Sequence, residues 1–387
     1  MATEVAGRRV VPWLDQALLA GLLVAAGAIH FSIAIGETAL WLTLAVWAGS
    51  LTAKRERPQA PPFFLPLLVY VGISLVATAF SIDRMQSLGA TKQMLLYLVV
   101  PATYSIASGR RAHTMWMVII TVGAISAIIG VIEYGVLNYD SLGQRPRGTL
   151  GHYMTYSGLL MLVVCSVAAR LLYERRDWIW PALVMPALVV ALALTFTRSA
   201  WVGACVGVGL LLLLRDLRLF GILPVVAALF IAVAPTALTE RAYSMFNLRD
   251  PTNRDRLAMM QAGSAIVKRY PLTGVGPNVV HEVYPNYRQS SAVDQTPPHL
   301  HNVPLQIAAE RGLPALGIWL WFVATAAVGL WRRFRSDRSR YLAAAGLGAL
   351  AAMLAAGFFE YNFGDSEFLV TLLILLTLPW AAIRTTT

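Results

Sequence analysis

Residues 152–173 read HYMTYSGLLMLVVCSVAARLLY, an apolar run with one formal charge, that of Arg170 near its end. About 20 apolar residues are enough to cross a bilayer as an α-helix. The rest of the chain has the same character, because 57% of its 387 residues are hydrophobic and only 13% are charged. Soluble domains are about 25% charged. The composition therefore excludes an ordinary soluble enzyme and predicts an all-α integral membrane protein.

Apolar runs of this kind follow one another along most of the chain. We place them at 16–36, 38–53, 62–80, 93–109, 114–137, 152–173, 178–196, 199–214, 218–238, 312–331, 340–361 and 366–383. The sequence thus predicts about 12 transmembrane helices. Nine lie in residues 1–238, a long loop occupies 239–311, and three helices occupy 312–387. Cys165 and Cys205 fall inside apolar runs, so we expect no structural disulfide.

The distribution of basic residues predicts the orientation in the membrane. If the N-terminus is cytoplasmic, most lysines and arginines of the short loops are cytoplasmic too. The short loops of the other face then carry Arg84, Lys92, Arg145, Arg147 and Arg198. We therefore expect both termini in the cytoplasm and the long loop outside. Orientation in the membrane then accounts for the net charge of +11, and we expect no nucleic-acid partner.

The long loop at 239–311 is basic although topology does not require it, and it holds three of the six histidines. Its charge suits an anionic, lipid-linked ligand beside the membrane. The alternative is a solvated loop whose arginines pair with its own carboxylates.

Within the loop, residues 252–270 predict an amphipathic helix on the outer membrane surface. Thr252 or Asn253 can cap its N-terminus. Its moderately apolar face comprises Leu257, Met260, Ser264 and Val267. Arg254 and Arg256 are two positions apart and point in nearly opposite directions, so only one of them faces a given ligand. The following PLTGVGPN at 271–278 is a turn, and its likeness to a phosphate-binding loop is weak.

Residues 296–302 read TPPHLHN, in which the prolines impose an extended backbone. Asn302 can cap the next helix, with Pro304 in its first turn. His299 and His301 can bind a metal, bond to backbone as structural residues, or supply a general base. Two more arginines, Arg147 and Arg198, lie in short outer motifs, where they either anchor the helices or bind a ligand.

In this order, these motifs resemble those of the O-antigen ligase family. The matching stretches are Arg147-Gly148-Thr149, Thr197-Arg198-Ser199, Arg254 with the helix that ends in YPLTGVG at 270–276, and His301-Asn302 with the later Glu310-Arg311-Gly312-Leu313-Pro314. The resemblance covers nearly the whole chain. Its superfamily also includes polysaccharide polymerases and protein O-oligosaccharyltransferases.

The resemblance implies a multi-pass protein of the bacterial inner membrane with a type C glycosyltransferase-like fold and a periplasmic active site. The donor would be an undecaprenyl-diphosphate-linked O-antigen polysaccharide, and the acceptor would be lipid A–core oligosaccharide, as in lipopolysaccharide biosynthesis. Transfer would proceed by inversion, without cofactor or metal. His301 would be catalytic, and Arg147, Arg198 and Arg254 would bind the diphosphate. The supporting residues would be His299, Asn302 and Arg256.

Two alternatives remain open. A polymerase of the same superfamily would use the same arginine and histidine chemistry. A transporter of lipid-linked glycans would instead place ionisable residues near the bilayer midplane, where the spans of this chain carry few charges.

Overall fold

The computed structural model describes residues 12–289, 292–336 and 339–384, which form helices and no strands. The α-helices, α1 to α16, are Pro12–Ala28, Ile33–Lys54, Phe64–Ala79, Arg84–Thr91, Val99–Ile106, Arg110–Gly135, Tyr153–Tyr173, Ile179–Leu194, Arg198–Arg215, Ile222–Val233, Thr236–Tyr243, Pro251–Arg269, Val280–Val283, Val303–Arg335, Arg340–Ala356 and Ser366–Ala381. Short 3₁₀ turns, among them Lys92–Leu98 and Asn362–Gly364, join several of them. The expected all-helical fold is confirmed over these residues.

Five helices, α2, α6, α7, α9 and α14, are long and apolar enough to cross a membrane. Shorter apolar helical segments fall at Trp13–Ala28, Phe64–Ala79, Ile179–Leu194, Leu217–Val233, Arg340–Ala356 and Ser366–Ala381. Together they are the helices of a multi-pass membrane protein. Each coincides with one of the predicted spans, although several boundaries differ.

The predicted span at 93–109 is broken. The 3₁₀ turn Lys92–Leu98 precedes α5, which begins at Val99. Pro101 has no N–H to donate to the preceding turn, and it lies in the first turn of α5, where no such bond is required. The boundary between the first two predicted spans is also wrong, since α1 ends at Ala28 and Ser32 caps α2.

The centre of the bundle is built from α7 and α16, which are buried over most of their length. The alanine- and glycine-rich α15 packs against α7, α9 and α16. Small side chains let helix backbones approach closely. Such close packing stabilises helix pairs in a bilayer, where the hydrophobic effect does not drive helices together. In contrast, α10 buries no residue, and its side chains are available to acyl chains.

One end of the bundle carries the residues of the long loop, and we call it the loop end. Helix α12 lies there, over 251–269, close to its predicted position, but its N-cap is Asp250 instead of Thr252 or Asn253. It packs through a buried face of small and apolar side chains, namely Ala258, Met259, Ala262, Gly263 and Ile266. Leu257 and Met260, from the face predicted to contact lipid, are exposed.

The first turns of α14 fold over the loop end before the helix enters the bundle. The helix breaks at Gly312, whose φ of 82° lies in the left-handed region. A Cβ there would come within 2.1 Å of the carbonyl oxygen of Leu272, so the position requires glycine. The predicted span at 312–331 therefore continues a helix that already begins at Val303. This break lets residues 303–311 pack against α12 and the turn at 271–278.

Candidate functional site

The histidine segment is attached to the chain that follows α15. Asn302 caps α14 as expected, because its Oδ1 accepts a hydrogen bond from the Leu305 N–H at 2.9 Å. Its Nδ2 donates to the Phe358 carbonyl at 3.1 Å, and the Val303 N–H donates to the Gly357 carbonyl at 2.7 Å. These bonds bring residues about sixty positions apart together at the loop end.

Within this segment, His301 bonds to Glu360. Its φ of 47° lies in the left-handed region, a strained backbone of the kind that clusters at functional sites. The imidazole Nδ1 lies 3.0 Å from both carboxylate oxygens of Glu360. Glu360 is buried and also accepts a hydrogen bond from the Tyr361 N–H at 3.0 Å.

The charge of Glu360 decides which nitrogen of His301 carries the hydrogen. Burial alone would raise the pKa of Glu360, but the hydrogen bond and charge of His301 outweigh it and lower the pKa to about 2. An ionised carboxylate can only accept hydrogen bonds, so Nδ1 of His301 must be the donor. Nε2 then holds the lone pair and can take a proton.

His299 lies beside both His301 and Glu360. Its Nε2 is 3.8 Å from Oε1, and the two imidazole rings are 4.3 Å apart between centroids. Burial lowers the pKa of His299 to about 4, so its ring is neutral at pH 7 and a weak base. His301, with its oriented Nδ1, is the better candidate for a base. The side-chain ligand atoms of His299, His301 and Glu360 lie within 4.8 Å of one another, a spacing that could also hold a metal ion.

Beside this pair lies a group of four arginines, the arginine cluster: Arg145, Arg198, Arg241 and Arg256. Arg198 is buried, and its guanidinium donates to Ser244, Asn253 and Asp250 at 2.9 to 3.1 Å. Arg241 lies 3.8 Å from the second oxygen of Asp250. Arg198 therefore holds the N-terminus of α12 in place.

The cluster is crowded with positive charge. Burial, and then the charges of Arg198 and Arg145, lower the pKa of Arg241 to about 10. Burial also lowers the pKa of Arg256. The charge of Glu360 raises this pKa, and the charge of Arg198 lowers it further. Asp250 bonds or pairs with two of the four guanidinium groups. An anion that enters here would relieve the remaining repulsion.

Residues 183–320 match the family model described as O-antigen ligase. Over this segment, about a third of the chain, the protein is similar to the O-antigen ligase family. It contains Arg198, Arg241, Arg256 and both histidines, whereas Arg145 and Glu360 lie outside it. No curated protein matched the chain in a separate comparison.

Of the arginines predicted to bind diphosphate, the structure brings only Arg198 into the cluster. Arg147 is exposed, with its guanidinium 5.7 Å from the ring of Tyr139. Arg254 is also exposed, while Arg256, on the opposite side of α12, faces Phe359 and Glu360. The sequence analysis had predicted only a supporting role for Arg256.

Sequence reasoning missed Arg241 and three other residues of the site. Arg145 joins the cluster, with its guanidinium 4.4 Å from the ring centroid of Tyr153. Glu133 fixes the loop that carries it, since one carboxylate oxygen accepts the N–H groups of Arg147 and Gly148 at 2.8 Å. Glu133 and Glu360 are both single acidic residues at the end of an apolar run. Because ionisable residues in such positions often have a function, this pattern could have identified them from the sequence.

The glycine-rich turn at 271–278 has a structural role in the O-antigen ligase segment. The N–H groups of Val275 and Gly276 donate to the carbonyls of Ala309 and Glu310 at 2.9 Å. The N–H of Asn278 donates to the Glu310 side chain at 2.8 Å. Because these amides are already bonded, the turn does not offer them to a phosphate, and its weak likeness to a phosphate loop has no functional meaning.

Proposed function

We propose that the protein is a glycosyltransferase that transfers undecaprenyl-diphosphate-linked O-antigen polysaccharide to lipid A–core oligosaccharide. The observation that supports it is the His301–Glu360 pair beside the arginine cluster, in a chain that is similar over 183–320 to the O-antigen ligase family. A base and an anion site are the two parts that such a transfer requires.

The arginine cluster binds the diphosphate of the donor. Guanidinium groups recognise phosphate by bidentate, charge-assisted hydrogen bonds. Arg145 and Arg256 are the direct ligands in this proposal, because the donors of Arg198 are largely engaged by Ser244, Asn253 and Asp250. Arg198 adds charge and holds α12, while Arg147 and Arg254 remain predicted contacts at the exposed edge.

His301 activates the acceptor. Its Nε2 takes the proton of a sugar hydroxyl as the oxygen attacks the anomeric carbon from the face opposite the diphosphate. The new C–O bond forms, the bond to the diphosphate oxygen breaks, and undecaprenyl diphosphate leaves with the electron pair. The configuration is inverted, and the proton on His301 then passes to solvent. Glu360 acts through His301 as a positioning residue.

Neither a metal nor a cofactor is required in this scheme. The arginines neutralise the leaving group, a task that a divalent cation performs in other enzymes. The prediction is tested by chelation: activity should survive, and loss that Mg²⁺ or Zn²⁺ restores would assign His299, His301 and Glu360 to a metal.

The reaction is placed at the periplasmic face of the inner membrane, with both termini cytoplasmic. This placement rests on the distribution of basic residues among the short loops. Both substrates carry lipids, and the bilayer holds them in one plane, which raises their effective concentration at the loop end.

The decisive experiment reconstitutes the purified protein with the lipid-linked donor and offers lipid A–core as acceptor. His301→Ala should lower turnover by about 10²- to 10⁴-fold, the usual contribution of a positioned base. His299→Ala, the matched control, should lose less. Product on lipid A–core supports the ligase, whereas longer chains on the lipid carrier would identify a polymerase. Movement of intact donor across the bilayer without transfer would identify a transporter.

A further inference from the structure

A cavity of about 730 Å³ lies next to the histidine pair and is separate from the arginine cluster. Its wall combines α2, the 3₁₀ turn Lys92–Leu98, the start of α14 and the chain between α15 and α16. His299 belongs to this wall, whereas none of the four arginines of the cluster is among its described lining residues. The histidines thus stand between an anion site and a second, larger space.

The lining of the cavity is suited to an uncharged polyhydroxyl ligand. Its charged groups are mixed in sign, with Glu37 against Lys92, and with the buried ion pair of Glu310 and Arg311. A phosphate would meet carboxylates here. Small-molecule sites of this volume combine apolar walls with a few polar groups that fix orientation.

Aromatic side chains and hydrogen-bonding groups complete the wall. Trp41 and Tyr361 supply flat apolar surfaces, and Gln93 and Asn278 supply amides. Asp365 lies 3.2 Å from the hydroxyl of Thr155. Burial, followed by the charges of Glu360 and Glu367, raises the pKa of Asp365 to about 8. At neutral pH this carboxyl is mostly protonated, so it can donate a hydrogen bond to a sugar oxygen as well as accept one.

The cavity borders a surface that a bilayer would cover. Leu95 lines the cavity and is about half exposed, and Met85 and Leu88 of the neighbouring α4 are more exposed still. Exposed apolar side chains grouped in this way mark contact with lipid or another apolar surface. A sugar attached to a membrane lipid could therefore reach the cavity from this side without passing the arginine cluster.

We infer that this cavity binds the acceptor sugar, with Asp365 and Glu37 bonding to its hydroxyls and Trp41 packing against its ring. The inference rests on the proposed function and assigns its two substrates to opposite sides of the histidine pair. The donor diphosphate occupies the arginine cluster, and the acceptor hydroxyl reaches His301 from the cavity past His299.

A bulky residue placed inside the cavity tests the assignment. Ala90→Trp fills part of the space from α4. Gly89→Trp adds the same bulk to the same helix at a position where a Cβ meets nothing within 4 Å. Binding of purified lipid A–core to each protein in nanodiscs is measured directly, and the KM values for acceptor and donor are measured separately.

We expect Ala90→Trp to weaken lipid A–core binding and raise the acceptor KM by about tenfold or more. The donor KM should stay constant, and Gly89→Trp should behave as the wild type. Asp365→Ala should also raise the acceptor KM, and Asp365→Asn should recover part of it, because an amide still donates and accepts. Neither Asp365 variant adds bulk, so they test the site even if Ala90→Trp does not fold.

Unchanged acceptor binding in both Ala90→Trp and Asp365→Ala would overturn the inference, as would a rise confined to the donor KM. Absence of lipid A–core binding to the wild type would overturn it too. The proposed function fails by a different result, namely wild-type protein that binds its substrates and transfers no glycan.

Discussion

Replacement of Glu360 with glutamine removes one charge from the site and almost no volume. The wild-type carboxylate is buried and lies 3.0 Å from Nδ1 of His301. It therefore fixes the tautomer of His301 and stabilises the imidazolium that forms when the base takes a proton. Glutamine can keep a hydrogen bond to Nδ1 but cannot supply the negative charge.

The expected loss follows from that single bond. A hydrogen bond to a charged group contributes about 1.5–3 kcal/mol, which corresponds to roughly 10- to 150-fold in kcat. If the amide NH₂ donates to Nδ1 instead, the hydrogen moves to Nε2 and the loss grows toward about 10⁴-fold.

The assay is transfer in vitro at matched protein levels, with full pH profiles and separate KM values. Glu282→Gln, at an exposed glutamate of the long loop, is the control and should behave as the wild type. Donor KM should change little in Glu360→Gln, because the arginines bind the diphosphate. A variant with normal kcat would refute the dyad, and a rise in donor KM alone would indicate a purely structural role.

Three further results are expected. Arg256→Ala should lower donor affinity roughly 10- to 150-fold, the value of a charge-assisted hydrogen bond, and more than Arg254→Ala at the neighbouring exposed position; the reverse order in a binding titration would select Arg254. Since folding raises the pKa of Asp365 from 3.8 to about 8, the folded state holds a proton that the unfolded state has lost, and stability should fall as pH rises through that window. Asp365→Asn should therefore lose less thermal stability between pH 5 and 8 than the wild type, and parallel melting curves would contradict this. Topology reporters after Arg57 should be cytoplasmic, and one inserted between 288 and 292 should be periplasmic; a cytoplasmic signal there would contradict the placement of the site.

The positions of the helices could be predicted because burial in a bilayer demands long apolar runs, and such runs are visible locally in the sequence. The same holds for the cap at Asn302, since a cap depends on residues three positions apart. The predicted helix boundaries were wrong where a single proline or glycine changed the backbone. Pro101 lies in the first turn of α5, which begins within the predicted span at 93–109, and Gly312 breaks a helix that already began at Val303.

The sequence by itself also indicated the residue types of the candidate site, namely arginines and a histidine pair in apolar surroundings. Only the tertiary structure decided which members meet. It brings Arg256 and not Arg254 to Glu360, adds Arg145 to the cluster, and pairs His301 with a glutamate 59 positions away. The periodicity of a sequence indicates which residues share one face of a helix. The residues that this face contacts depend on how α12, α14 and α15 pack, and no local sequence pattern encodes that packing.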